Sequence, residues 1–494
     1  MKPISPALAR FWDFCAKSAM GAAILLLPLT SLPLLSRLMR GAMVAPPSIL
    51  FIFILTVGWL PVYLVRGGKI PRTMVPFLVF VVLALISSAA AFFLYFPSYK
   101  GYTVQSAELD ALVTLAIGVA TYLVVSLWHR EPGRMAFTLR LINWSGVAML
   151  VWSFIQLAFI RLHNGYYPDI LVRAQALLST RSLLDPGFRV RVGGFTYEPS
   201  WLAHQLNLIY LPYWLAATIT GYSATKKLWR ISMENCLLVG GLIILYFTIS
   251  RIGLLAFLLM VAFVFYRLNV FIIRWLQERL KQRPAVLRWR MDKLIPALTV
   301  LVVVLVYMGG VIGLLIVWAH FDPRTASLLS LKAIPTDLFD FAFKVDFAER
   351  VVYWSIGWSV FAHYPLLGVG LGNTGFFFQQ YLPNIGYRLA EIMDVLNKAT
   401  FLPNIKSFWI RLLAETGLLG FSAFASWQVV LLNVGTVLRA HRSVFIRTLG
   451  WMGAFAVLAF LAEGFSIDSF ALPYLFVAMG LLTAAGALAR QQSN

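Results

Sequence analysis

The chain reads as a series of long apolar runs separated by short polar punctuation. About twenty apolar residues make a helix that crosses a bilayer. Such runs fall at roughly 18–36, 43–65, 73–96, 108–128, 139–161, 200–222, 231–249, 252–272, 294–318, 408–438, 447–465 and 470–489. The pattern predicts an all-α integral membrane protein with about 12 transmembrane helices, forming one polytopic domain over residues 1–494. Two connections are long, 162–199 and 319–407, and both are expected to contain short amphipathic helices. Pro28, Pro33, Pro61 and Pro212 punctuate the runs, as kinks do in membrane helices. The sequence shows no fixed-period repeat, nor the paired broken segments of an inverted-repeat transporter.

Composition agrees with the pattern. The chain is 60% hydrophobic and 12% charged, with a mean hydropathy of +0.80, whereas soluble domains are about 25% charged. A net charge of +21 would suggest a nucleic-acid partner in a soluble protein. Here its distribution between loops is the better guide. With the N-terminus inside, 24 of the 41 Lys and Arg fall on cytoplasmic segments, the densest run being Arg267–Lys293. The rest concentrate in the two long loops, to which the positive-inside rule gives little weight. Both termini are therefore expected in the cytoplasm and both long loops outside. Lys2, Arg10 and Lys17 before the first run read as an uncleaved signal anchor. Cys15 and Cys236 are too few and too far apart for a disulfide framework or a metal cluster.

The outer loops hold the candidate chemistry. Loop 162–199 ends RVRVGGFTYEP, with Arg189 and Arg191, then Gly193 and Gly194, then Glu198 before Pro199. Pro199 suits a first helical position, which puts Glu198 at the helix cap. His204 follows in the same helix, near headgroup level, as a packing residue or a substrate contact. Ser250-Arg251 sits between two apolar runs and places a guanidinium at the outer edge of the bundle. In loop 319–407, Arg350, Trp354 and Trp358 are spaced i, i+4, i+8 and share a helical face suited to a lipid headgroup or sugar ring. Gly370, Gly372 and Gly375 match GxGxxG in form, but no βαβ unit surrounds them, so a tight re-entrant turn is the expectation. Glu108-x-Asp110 and the scattered Asp337, Asp340 and Asp346 form no recognisable metal set; Ser106 makes helix capping sufficient for the former. No cofactor is expected.

Lys406–Gly420, KSFWIRLLAETGLLG, lies at the mouth of the long run 408–438. Pro403-Asn404 is expected to cap a helix starting at about Ile405, presenting Lys406 and Ser407 in its first turn, an arrangement that suits phosphate. Arg411 and Glu415, spaced i, i+4, read as an intrahelical ion pair or as part of the same site. Gly417 and Gly420 are expected to permit close helix packing.

Four pieces in order, RVGGFTYEP, Ser250-Arg251, RVVYWSIGWSVFAHYPLLGVGLGN and Lys406-Ser407 followed nine residues later by Gly417-x-x-Gly420, resemble the O-antigen ligase and O-antigen polymerase family of membrane glycosyltransferases. The resemblance implies a GT-C-like helical enzyme in the bacterial cytoplasmic (inner) membrane, acting at the outer face. Its implied partners are a polyprenyl-diphosphate-linked glycan donor, a glycan acceptor, membrane lipid, and a chain-length regulator or other export-pathway proteins, with no nucleic acid. The ligases usually carry histidine where this chain has Lys406, so polymerisation into exopolysaccharide, capsule or O-antigen is the closer reading. Transfer to lipid A-core and lipid-linked saccharide transport are the alternatives.

In such a reaction the diphosphate gains charge as it leaves, and fixed cations in a dry site stabilise the transition state. Arginine binds phosphate bidentately and stays protonated. Arg191, Arg251 and Arg350 are therefore the expected catalytic cations, with Arg189 and Arg411 behind them. Glu198 is the expected base and His204 and Glu415 its alternatives; Lys406 and Ser407 hold diphosphate or acceptor, with Trp354 and Trp358 contacting substrate. Arginine supplies the positive charge, so no metal is called for. A flippase would place cations in a central cavity; here they gather in the outer loops, which favours surface chemistry.

Overall fold

The apolar runs become helices. The computed structural model describes residues 6–38, 44–227, 229, 231–280, 338–344 and 347–493, with part of 297–319. Among the described residues eight helices are long and apolar enough to cross a membrane: Ser48–Val65, Arg72–Ala91, Val104–Trp128, Pro132–Leu162, Arg251–Trp275, Phe408–Leu438, Val444–Glu463 and Pro473–Gln492. The protein is an all-α membrane protein; the only β feature among the described residues is an isolated bridge from Ser31 to Ala45. Further helices at expected positions are the continuous stretch 199–220 and the 15-residue Met233–Phe247. The expected count of 12 is not established by these spans, and most of the run 294–318 lies outside the described residues.

The first run departs from its expectation. Instead of one span over 18–36, the helix Pro6–Leu25 ends early and the chain turns before a short helix, Pro33–Leu38. Pro28 lacks an N–H and clashes with the preceding turn, whereas Pro33 takes the first position of the next helix, where its missing N–H would be unpaired anyway. Freed backbone groups at membrane depth need partners: Gln205 Nε2 donates to Leu27 O at 3.0 Å, and Ala45 N donates to Thr30 O at 2.9 Å.

The residues form two compact parts. The larger comprises Met1–Phe257, Ile356–Tyr381 and Thr400–Asn494. In it helix Phe408–Leu438 packs against Val75–Ala91 and Val444–Glu463, and Pro473–Ser493 packs along Val104–Trp128. Buried aromatic rings fill this core. Phe77 lies 4.5 Å from Trp427 and 5.0 Å from Tyr122 by ring centroids, the range in which tilted and edge-to-face pairs add to burial. Their polar ends are satisfied in series: Trp427 Nε1 donates to Tyr122 OH at 3.0 Å, and Tyr122 OH pairs with Thr483 Oγ1 at 2.8 Å.

Helix Phe408–Leu438 covers the apolar run 408–438 but is broken at Gly417, where φ is 60° and ψ −167°. The break frees backbone groups that the segment 365–370 takes up. Leu418 N donates to Pro365 O at 2.8 Å, while Val369 N and Gly370 N donate to Ala414 O and Glu415 O at 3.0 Å each. Ser87 Oγ on helix Val75–Ala91 lies against both Leu367 O and Glu415 O. Gly417 is thus a backbone joint rather than a packing glycine: a Cβ there would meet Leu366 O at 2.2 Å. Gly370 and Gly372, with φ of 82° and 79°, shape the same docked segment into the expected tight turn.

A buried carboxylate anchors another loop. Glu234 Oε1 accepts from Asn143 Nδ2, Tyr213 OH and Ala224 N at 2.8, 3.1 and 2.9 Å, and Oε2 from Ser223 Oγ at 2.9 Å.

The smaller part comprises Leu258–Ser355 and Leu382–Ala399. Its short helices include Leu338–Lys344 and Ala390–Asn397. Within it Tyr353 OH donates to Glu391 Oε1 at 3.1 Å. Asp337 and Asp346 lie outside the described residues, and Asp340 sits on helix Leu338–Lys344.

Gly417→Ala is expected to cost about 1–3 kcal/mol, since its backbone conformation is essentially confined to glycine. Gly420→Ala should cost less, because the clash there is with the Thr416 side chain, which can turn. Thermal unfolding of the two variants in one detergent checks the order.

Candidate functional site

The site grows from a fixed glycine turn. Gln156, buried on helix Pro132–Leu162, accepts from Gly193 N and Gly194 N at 3.2 and 2.8 Å and returns a bond to Gly194 O at 2.9 Å. This holds the end of loop 162–199, so that Arg191 on one side and Glu198 on the other leave the turn in set directions. Nearby Tyr167 donates to Phe188 O at 2.9 Å, and burial pushes its hydroxyl pKa up to about 12, which keeps it a donor.

Arg191 Nε donates to Thr248 O at 2.7 Å, and Val192 N donates to Phe247 O at 2.9 Å. The loop end is thereby tied to the short turn that precedes Arg251. That turn is strained: Ile249, a β-branched residue, has φ of 50°, a genuine outlier for its type. Ser250 Oγ accepts from Gly253 N at 3.2 Å and caps the helix that Arg251 opens. Two candidate cations are thus joined through one strained turn. Arg189, by contrast, is exposed, with its guanidinium 5.7 Å from the Tyr166 ring centroid.

Pro199 takes the first helical position as expected, and Glu198 stands at the cap position without bonding its side chain to the helix backbone. Its carboxylate is exposed and accepts from Ser200 Oγ at 3.2 Å. Further along the same helix a π-turn spans Leu206–Tyr210. Beside it, His204 Nδ1 pairs with Glu463 Oε2 at 2.6 Å, and Asn207 Nδ2 donates to Glu463 Oε1 at 2.6 Å and to Gly253 O at 2.7 Å. The side chains of His204 and Glu463 are 4% and 0% exposed.

From Glu463 the connection continues. Gly464 O accepts from Phe408 N at 2.7 Å and from Ser407 Oγ at 3.4 Å. Here the structure corrects the expected helix start. The helix begins at Phe408, capped by Ser407, whose Oγ accepts from Ile410 N. Lys406 and Ser407 therefore precede the first turn instead of lying in it. Asn404 Oδ1 accepts from Lys406 N at 3.2 Å, and Lys406 has φ of 49°. This local Asx turn competes with helix extension and moves the start by three residues. Strained non-glycine backbone tends to gather at functional sites, and here two such residues, Ile249 and Lys406, sit at or beside candidate cations.

Other expected residues go elsewhere. Arg411 Nε bonds Glu415 Oε1 at 2.9 Å and its Nη1 donates to Asp468 O, with the side chains 13% and 4% exposed. The i, i+4 pair is real, buried, and tied to the turn after Glu463. Arg350, Trp354 and Trp358 lie on one helix, Ala348–His363, with Trp358 exposed and Trp354 5.3 Å from Phe347 by ring centroids. Glu108 is buried and accepts from Asn373 Nδ2 at 2.8 Å, while Asp110 is exposed. Helix Val104–Trp128 starts earlier than expected, with Thr103 and Ser106 closing a capping box.

Gln156, Asn207 and Glu463 were missed by the sequence reading. Only Glu463 carried a signal, as a carboxylate inside an apolar run, where ionisable groups are functional suspects.

Lys406→Gly removes the left-handed strain together with the ammonium. Stability is expected to stay within about 1 kcal/mol of the wild type while product formation drops at least tenfold. Thermal unfolding and a turnover assay on the same preparation check this, and wild-type turnover in the variant takes Lys406 out of the site.

No curated protein matches the chain. Residues 236–425 match the O-Antigen ligase family model, a stretch that includes Arg251, Arg350, the docked glycine turn and Lys406–Gly420. The matched stretch is less than half of the chain, and over it the protein is similar to the O-antigen ligase family.

Proposed function

We propose that the protein polymerises saccharide repeat units carried on a polyprenyl diphosphate, at the outer face of the bacterial cytoplasmic membrane, with both its termini in the cytoplasm. The observation that carries this reading is the strained turn Thr248–Arg251, to which Arg191 is hydrogen-bonded. This bond ties Arg191 to the turn from which Arg251 opens a long apolar helix, and this supports a site where a membrane-borne diphosphate would meet both arginines.

The chemistry follows from charge. As the anomeric carbon transfers, the bond to the donor phosphate oxygen breaks and the diphosphate gains charge. Arg191 and Arg251 bind that charge as it develops, and Lys406, in its strained turn, adds a third cation. Arg350 is assigned to phosphate on the family resemblance alone. Arginine provides the positive charge, so the reaction is proposed to proceed without metal. Lysine in place of the ligase histidine favours the polymerase over the ligase.

Glu198 fits acceptor binding better than proton abstraction. A general base gains strength from a dry environment, whereas this carboxylate is exposed and touches a hydroxyl, Ser200 Oγ. It is suited to the hydroxyl groups of an entering sugar.

The test is reconstitution in nanodiscs with polyprenyl-diphosphate oligosaccharides extracted from the source cells, with and without chelator. A product ladder that persists in chelator supports metal-free polymerisation. A single addition to a lipid A-core acceptor would make the protein a ligase, and transbilayer movement without product would make it a transporter. In the same assay Arg191→Ala and Arg251→Ala are each expected to lower turnover about 10²–10³-fold, the scale on which loss of one charge-stabilising donor acts. Glu198→Gln is expected to raise KM for the acceptor while leaving most of kcat; complete loss of kcat would return Glu198 to the base role.

A further inference from the structure

Resting on this reading, we propose that His204 is the proton acceptor of the transfer and that Glu463 is its positioning residue. A base needs a lone pair aimed at the reacting hydroxyl and a third group that fixes its tautomer. Glu463 supplies the latter. Its Oε1 faces Asn207 Nδ2, which can only donate, and its Oε2 lies 2.6 Å from His204 Nδ1. A carboxylate accepting on both oxygens keeps the ring proton on Nδ1 and leaves the lone pair on Nε2.

The local fold is built for this contact. The π-turn over Leu206–Tyr210 places Asn207 against both Glu463 and Gly253 O. π-turns inside α-helices frequently mark functional sites. A buried carboxylate at a helix end within a membrane bundle is also costly unless it serves a purpose.

A way in lies beside the pair. A small cleft of about 10 Å³, room for one water-sized group such as a hydroxyl, is lined by Leu27, Thr30, Trp201, Leu472, Pro473 and Tyr474, among others. Trp201 is three residues before His204, so the two share a helical face. The Tyr474 hydroxyl is buried and has no hydrogen-bond partner. A sugar hydroxyl entering the cleft would satisfy it. Trp201 offers the flat apolar surface on which a sugar ring stacks.

The step balances within the donor and acceptor. The acceptor O–H bond breaks, its proton passing to Nε2 and its electron pair forming the new bond to the anomeric carbon. The bond from that carbon to the phosphate oxygen breaks, and its pair leaves on the diphosphate. The imidazolium formed is stabilised by Glu463 and returns its proton to water or to the departing diphosphate.

The experiment compares wild type, His204→Ala, His204→Gln and Glu463→Gln in nanodiscs, with polyprenyl-diphosphate oligosaccharides from the source cells as donor and acceptor. Thermal unfolding is recorded for each. His204→Ala is expected to lose at least 100-fold in kcat with KM within threefold of wild type, and added imidazole is expected to restore at least tenfold. Glu463→Gln should lose about 10–100-fold in kcat, the scale of such orienting contacts, again with KM within threefold. His204→Gln, which keeps a donor toward Glu463, should fold normally and stay inactive. More than half of wild-type turnover in either His204 variant, or a folded His204→Ala that imidazole leaves unchanged, overturns the proposal. If His204→Ala does not fold, Glu463→Gln decides: a loss of kcat at constant KM supports it, and a change in stability alone overturns it. Absence of product from the wild type removes the functional reading, and this inference with it. An active wild type with active His204 variants removes only the inference.

Discussion

A helix broken within the apolar core obliges another segment to complete its hydrogen bonds, and much of this structure answers that requirement. At Gly417 the helix Phe408–Leu438 loses its regular ladder, and segment 365–370 supplies partners to the freed backbone on either side of the break. Lipid has no water to offer these groups, so the docking is obligatory. It carries further constraints with it. The docked segment needs glycine at 370 and 372, it packs beside Glu108 through Asn373, and it takes the Ser87 hydroxyl from a third helix. The short half-helix 408–416 is left with a fixed N-terminus, and Ser407 and Lys406 stand at that end.

A second set of contacts fixes that end against the rest of the candidate site. Glu463 reaches His204 and Asn207 on one helix, and the next residue, Gly464, accepts from Ser407 and Phe408 on another. Asn207 also reaches Gly253, just beyond Arg251. Loop 162–199 joins through Arg191 and Thr248. Four stretches far apart in sequence are thus linked by hydrogen bonds to one buried carboxylate and the turns beside it. In a poorly hydrated bundle such bonds are individually consequential, because an unpaired partner has no substitute.

The strained positions fit the same arrangement. Ile249 and Lys406 adopt left-handed backbone that neither residue type favours. Each is held from both sides: Ile249 between the end of helix Met233–Phe247 and Arg251, Lys406 between the Asn404 turn and the Ser407 cap. A conformation over-determined by its surroundings can persist at a cost of about 1–3 kcal/mol, and here it falls at Lys406 itself and two residues before Arg251, next to the start of each helix.

The sequence by itself determined the fold class, most helix positions, and the resemblance that the match over residues 236–425 supports, because apolar runs of bilayer length and short motifs are local properties that survive without tertiary context. It marked Arg191, Arg251, Arg350 and Lys406-Ser407 as one group on motif order, and hydrogen bonds link the segments that carry Arg191, Arg251 and Lys406-Ser407. Pro28 and Pro33 were visible, yet whether they kink a span or end it depended on Gln205 and Ala45 being present to take the freed groups. Gly417 read as a packing glycine because the strand of chain that docks at the break begins some fifty residues earlier. Glu463 stood in plain sight within an apolar run, but its partners, His204 and Asn207, are more than 250 residues away. Only the tertiary structure could bring them together, since a buried carboxylate is stabilised by whichever donors the packed helices deliver to it, and no local pattern records that choice.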